Sequence, residues 1–241
     1  MNHIKNKVAL ITGGSKGIGF GIAQALLAEG VNVAITSRSE TVADEAAKVL
    51  NKSKSAKAEA IGIKADVRNF ESQQNAVRKV ITHFNKLDIV IANAGLGHFA
   101  SIEDLTLGQW HETIDTNLTG VFYTIKSTVE ALKKSKGYFI TISSLAGANF
   151  FANGSAYNAS KFGLTGFTQA VMLDLRQHGV KVSTIMPGSV STFFNNRTPG
   201  ENDDWKIQIE DIGQLTVDLL KMHPRTLPSK VEVRPSMPPK K

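Results

Sequence analysis

Tyr157 and Lys161 stand four residues apart, a spacing that puts both side chains on one face of a helix. A phenol beside an ammonium is a candidate proton-delivering pair: the ordinary phenol pKa of about 10 is too high for easy exchange at neutral pH, and a nearby cation lowers it. The pattern YxxxK alone is common. It gains weight from Ser143-Ser144, at the end of an apolar run upstream of Tyr157, and from Asn117 in an earlier helical stretch. The chain has no Cys, so disulfides, thiolate nucleophiles and cysteine metal sites are excluded. His98 and His111 lie near the same segments, but neither has a partner at ligand spacing, and no metal is expected.

A second chemistry is written in Thr12-Gly13-Gly14-Ser15-Lys16-Gly17-Ile18-Gly19, between a short apolar run and a helical pattern. Glycines in such a turn let the backbone approach a pyrophosphate at a helix N-terminus. The pattern is TGxxxGxG, with a wider gap between Gly13 and Gly17 than the familiar dinucleotide fingerprint has. The second strand is followed by Arg38 and no acid. A free ribose 2′-hydroxyl favours Asp or Glu at that place, whereas a 2′-phosphate favours Arg or Lys. Arg38 offers a planar fork of donors and Lys16 a second positive charge, so the expected cofactor is NADP(H).

These residues need a scaffold. The chain has 241 residues, 41% of them apolar and 20% charged, enough for one sizeable core without disorder. No long linker divides it, and a single domain spanning 1–241 is expected. Periodicity gives strands at 7–12, 31–36, 59–64, 87–92, 138–143, 180–186 and 231–233, and helices at 18–29, 41–50, 70–84, 107–132, 155–177 and 211–222. This alternation implies right-handed crossovers, hence an α/β fold: a Rossmann-like, doubly wound parallel sheet of about seven strands with helices on both faces. Ligands bind such sheets beyond the carboxyl ends of the strands, where every motif above falls.

The opening MNHIKNKVAL lacks the apolar stretch and cleavage site of a secretory signal, and no apolar run is long enough to span a bilayer. A cytoplasmic protein with no membrane partner fits these features. The net charge of +7 comes from scattered Lys and Arg, including the tail Pro238-Pro239-Lys240-Lys241. It reads as a solvated basic surface, with no nucleic acid partner expected.

Taken in this order, the glycine turn 12–19, Asp66, Asn93-Ala94-Gly95, Asn117, Ser144, Tyr157, Lys161 and Pro187-Gly188 followed by Thr192 resemble the short-chain dehydrogenase/reductase family over nearly the whole chain. The resemblance implies an NADPH-dependent oxidoreductase that reduces a ketone or 3-oxoacyl group to an alcohol. Tyr157 would be the general acid, and Lys161, assisted by oxidised nicotinamide, would lower its pKa while holding the ribose hydroxyls. Ser144 would hydrogen-bond the substrate carbonyl, and Asn117 would hold a water that resupplies the proton. Cofactor contacts are expected from Gly13, Ser15, Lys16, Gly17, Ile18 and Gly19, and from Arg38. Further contacts are expected from Asp66 and Val67 near the adenine, from Asn93, Ala94 and Gly95, and from Pro187, Gly188, Val190 and Thr192, with Tyr157 and Lys161 shared.

Substrate selection is expected from the loop at 145–155 and the segment after Gly188, which carry Phe150-Phe151 and Phe193-Phe194, an apolar wall for an acyl chain or aromatic ketone. Among family activities, the leading specific expectation is reduction of 3-oxoacyl groups on acyl-carrier protein, or on coenzyme A. Lys133, Lys134 and Lys136 are candidate docking charges for an acidic carrier. The ending VEVRPSMPPKK departs from the Gly-Gly tail usual in those reductases. In the family the helices carrying Asn117 and Tyr157 pair across subunits, implying a homodimer or homotetramer. The alternatives are a general carbonyl or diketone reductase, a sugar- or steroid-type alcohol dehydrogenase, and a non-catalytic NADP-binding regulator.

Overall fold

The computed structural model describes residues 4–53 and 57–238; the start of the opening segment and the tail end Pro239, Lys240 and Lys241 lie outside them. Strands β1 (Val8–Ile11), β2 (Asn32–Ser37), β3 (Ala60–Lys64), β4 (Ile89–Ala92), β5 (Tyr138–Ile142), β6 (Lys181–Pro187) and β7 (Lys230–Val233) pair in parallel, in the order β3-β2-β1-β4-β5-β6-β7. Between them run α1 (Gly17–Ala28), α2 (Glu40–Ser53), α3 (Phe70–Phe84), α4 (Leu107–Ile114), α5 (Gly120–Ser135), α6 (Ser155–Leu175) and α7 (Ile209–Lys221). The expected doubly wound fold is what the chain adopts.

β1 reads Val-Ala-Leu-Ile with every side chain buried, as a strand covered on both faces must be. Ala9 and Ile11 join a core with Ile22 and Leu26 of α1, Leu50 of α2 and Ile212 of α7. Val8 and Leu10 join the opposite core with Val80 of α3, Ile125 of α5 and Leu164 of α6. Helix starts follow local chemistry. The Asn69 side chain accepts the Ser72 N–H at 2.8 Å to open α3, and Thr106 with Gln109 forms a reciprocal capping box at α4.

One expected element is different. The helix anticipated over 107–132 is two helices, α4 and α5, joined by a π-helical turn at Asp115–Thr119. There the Gly120 N–H reaches back five residues to the Asp115 carbonyl. That wide turn contains Asn117, and turns of this kind recur at functional sites. Apolar periodicity does not register a one-residue insertion, so the break was hidden in the sequence.

Strand order reverses between β1 and β4. The loops after these two strands part there, opening a crevice at the carboxyl ends of the sheet. The glycine turn follows β1 and Asn93-Ala94-Gly95 follows β4, so the two sequence motifs flank the switch point.

Candidate active site

A cavity of about 1090 Å³ occupies this crevice. Its wall includes every expected site residue except Gly19 and Asn117. Gly17 has φ of +59°, the left-handed region in which glycine is at ease. Gly19 is needed for closeness: a Cβ there would lie 2.5 Å from Asn93 Nδ2. That amide donates to the carbonyls of Thr12 (2.9 Å) and Gly13 (3.0 Å), while Thr12 Oγ1 accepts the N–H groups of Asn93 (3.0 Å) and Ala94 (3.1 Å). The loops on either side of the switch point are thus stitched together. α1 begins after Lys16 with no capping side chain and no acid in its first turn, leaving its N–H groups for an anion. These features fit the pyrophosphate of a dinucleotide.

At the adenosine end Arg38 lines the cavity and is exposed. Asp66 is gripped by Arg68, whose Nη2 and Nε donate to the carboxylate at 2.7 and 3.0 Å. Hydrogen bonding from Arg68, with a smaller contribution from the charge of Arg38, holds the Asp66 carboxyl below its usual range. Sequence reasoning passed over Arg68. A base two residues beyond the acid after β3 was its only signal. Arg68 reaches on to Glu112 at 3.5 Å, and Glu112 meets His98 at 2.9 Å, so a chain of polar contacts runs along one rim of the cleft. His98 is therefore a rim residue of the cavity. His111 is exposed on α4, and among the described residues no cluster of metal-ligating side chains exists.

At the other end Ser144, just after β5, and Tyr157 and Lys161, on the first turns of α6, share the cavity wall. Lys161 is buried; its Nζ donates to the Ile142 carbonyl at 3.0 Å and lies 5.8 Å from the Tyr157 ring centroid. Desolvation brings the Lys161 ammonium down to about 8. Burial pushes the Tyr157 phenol up, and a hydrogen bond with Ser144 acts the other way. The lysine turns to a backbone carbonyl, and desolvation of the phenol prevails.

Asn117 is fully buried, and its side chain is spoken for. Oδ1 accepts the Leu96 N–H at 2.9 Å, and Nδ2 donates to the Leu96 carbonyl (2.8 Å) and to Ser160 Oγ (3.0 Å). The amide therefore braces the loop after β4 against α6.

The phenylalanine pairs separate. Phe151 and Phe194 reach the cavity near Tyr157, Phe193 lies under Lys16 at 5.9 Å, and Phe150 is 87% exposed and takes no part. Phe99, from the loop after β4, joins Phe151 and Phe194, and its place directly after the Asn93-Ala94-Gly95 loop was the signal for it. Lys133, Lys134 and Lys136 sit at the end of α5, just before β5 begins. In a parallel sheet that is the end opposite the cavity.

The short chain dehydrogenase family model matches residues 7–203. The chain belongs to the short-chain dehydrogenase/reductase family. This short-chain dehydrogenase is 36% identical over 194 residues to trans-4-hydroxycyclohexanecarboxylate dehydrogenase of Sinomonas cyclohexanicum, covering 79% of the chain and 75% of that protein. It is 32% identical over 205 residues to the 3-oxoacyl-[acyl-carrier-protein] reductase FabG of Staphylococcus epidermidis, covering 85% and 82%. Among solved structures it resembles an alcohol dehydrogenase of the archaeon Thermococcus sibiricus complexed with 5-hydroxy-NADP, with a TM-score of 0.89, 29% identity and 98% and 99% of the two chains covered. The short-chain dehydrogenase is accordingly an oxidoreductase acting at CH–OH or carbonyl groups. No helix among the described residues is long and apolar enough to cross a membrane.

Proposed function

We propose that the protein is an NADPH-dependent carbonyl reductase in which Tyr157 gives a proton to the substrate oxygen. The observation that carries the reading is the layout of one cavity. Ser144, Tyr157 and Lys161 stand at one end, and Lys16 and Arg38 at the other, where the nearby carboxylate of Asp66 is already taken by Arg68. Bound in this cavity, the reduced nicotinamide supplies the hydride. Ser144 orients the carbonyl oxygen and shares its developing charge. Tyr157 sits at the same oxygen as proton donor, and Lys161 supplies the positive charge that favours its phenolate afterwards. Asn117 acts as a positioning residue, holding the loop that carries Gly95 and Phe99 in register with α6.

Arg38→Asp tests the cofactor choice. A charge-assisted contact to the 2′-phosphate contributes about 1.5–3 kcal/mol, so the ratio of kcat/KM with NADPH to that with NADH should fall by ~10–100-fold. An unchanged ratio would remove the 2′-phosphate argument.

A second reading, reduction of 3-oxoacyl groups on a carrier protein, draws on relatives with that name. The far-side position of Lys133, Lys134 and Lys136 withdraws the docking charges the sequence offered for it. A homodimer is the favoured assembly, because α4, α5 and α6 expose Leu107, Trp110, Phe122, Phe162 and Leu173. Light scattering should read twice the 26.0 kDa chain mass; a monomer at micromolar concentration would rule the dimer out.

A further inference from the structure

Tyr157 is enclosed by rings that the catalytic chemistry does not require. Its centroid lies 5.3 Å from that of Phe99 and 5.7 Å from that of Phe194, at tilts of 58° and 54°. Phe99 in turn meets Phe194 at 6.3 Å and Phe151 at 6.0 Å. These separations fall within the range in which aromatic rings attract one another edge-on or tilted. The three phenylalanines arrive on three separate loops, after β4, before α6 and after β6. Each remains about half-exposed toward the cavity mouth: 37%, 48% and 36% for Phe99, Phe151 and Phe194.

A Cβ on Gly97 would stand 2.8 Å from Phe99 Cζ and 2.9 Å from Phe194 Cζ, so a side chain there would push on the tips of both rings. A Cβ on Gly154 would stand 2.5 Å from Phe151 Cε2. The Phe151 loop is tied down by buried Asn158, whose Nδ2 donates to the carbonyls of Ala146 (2.8 Å) and Asn149 (2.7 Å). The glycines leave the rings their space, and the buried Asn158 amide holds the Phe151 loop, which lowers the entropy cost of binding against it.

We propose that Phe99, Phe151 and Phe194 form an aromatic cage that selects ketones whose carbonyl is in, or directly attached to, a six-membered ring, in preference to open-chain and thioester-borne carbonyls. This deepens the carbonyl-reductase reading and rests on it. A carbonyl at Tyr157 and Ser144 places its nearest substituents against Phe99 and Phe194. A rigid ring there meets two aromatic partners and has no rotors to freeze. A flexible chain makes weaker contacts and loses rotational freedom in doing so.

The test compares kcat/KM, with NADPH, for acetophenone and cyclohexanone against straight-chain methyl ketones of equal carbon count and against acetoacetyl-coenzyme A. It is repeated in Phe99→Leu and Phe194→Leu, which keep apolar volume while removing the ring. NADPH affinity, read by quenching of protein fluorescence, reports whether each variant is folded. The wild type should prefer ring ketones by about tenfold or more, and in Phe99→Leu with intact NADPH binding the preference should shrink to within about threefold. Turnover of carbonyls without ring preference, or a preference that survives both substitutions, overturns the cage while leaving the reductase reading in place. Absence of turnover with every carbonyl overturns both. Should Phe194→Leu lose NADPH binding, Phe99→Leu decides alone, since Phe99 lies on a different loop from the segment beside Thr192.

Discussion

Replacing Tyr157 by Phe should lower kcat/KM for carbonyl reduction by about 10²–10⁴-fold, the usual contribution of a positioned general acid. The substitution removes one oxygen and little else. The ring keeps its contacts with Phe99 and Phe194, and the α6 backbone is untouched. NADPH binding should therefore persist, and the loss should appear chiefly in kcat. Steady-state kinetics with a cofactor-binding titration checks both halves. Activity within tenfold of wild type would mean that another group delivers the proton.

Lys161→Met separates catalytic value from structural cost. Turnover should fall by ~10²-fold or more, because the charge that favours the Tyr157 phenolate is gone. Stability should move the other way. The Lys161 pKa falls from 10.5 in the open chain to about 8 in the fold. Below pH 8 both states carry the proton, and burying it costs about 3 kcal/mol at 1.36 kcal/mol per pKa unit. Between 8 and 10.5 the unfolded chain binds the proton more readily than the fold, so wild-type stability rises with pH and the penalty fades. The variant escapes that penalty but leaves the Ile142 carbonyl without its donor, an offset of about 1 kcal/mol. Cofactor-free Lys161→Met should thus unfold at higher denaturant than wild type at pH 7, and the advantage should vanish by pH 10.5. A variant less stable at pH 7 would show that the buried ammonium strengthens the fold.

The scaffold and the site were legible to different depths. Runs such as Val8–Ile11 and Tyr138–Ile142 are apolar and short, with helical spacing between them, so strand count and the parallel sheet follow from pattern. The residues in the two crossing-point loops were equally visible, because glycine and asparagine after a strand signal a backbone requirement. What stayed hidden depends on distance in space. Asn117 was found as a residue, but its brace to Leu96 and Ser160 needs the π turn, which no period reports. Arg68 draws its importance from Asp66 and Glu112, one of them forty-four positions away. Phe99 becomes meaningful only when loops from three strands converge. The high-titrating Tyr157 is a desolvation effect, set by neighbours that a four-residue spacing does not reveal.

The central claim is that a carbonyl substrate takes hydride from NADPH while its oxygen rests at Ser144 and Tyr157. The most direct test gives the enzyme acetophenone or cyclohexanone with NADPH carrying deuterium at both nicotinamide C4 positions, in ordinary water, and reads the alcohol product by mass spectrometry and NMR. The account predicts an alcohol with deuterium at the carbinol carbon, formed by wild type and lost in Tyr157→Phe. Tight NADPH binding with no labelled alcohol from any carbonyl compound would contradict it, and would leave a cofactor-binding regulator built on the same fold.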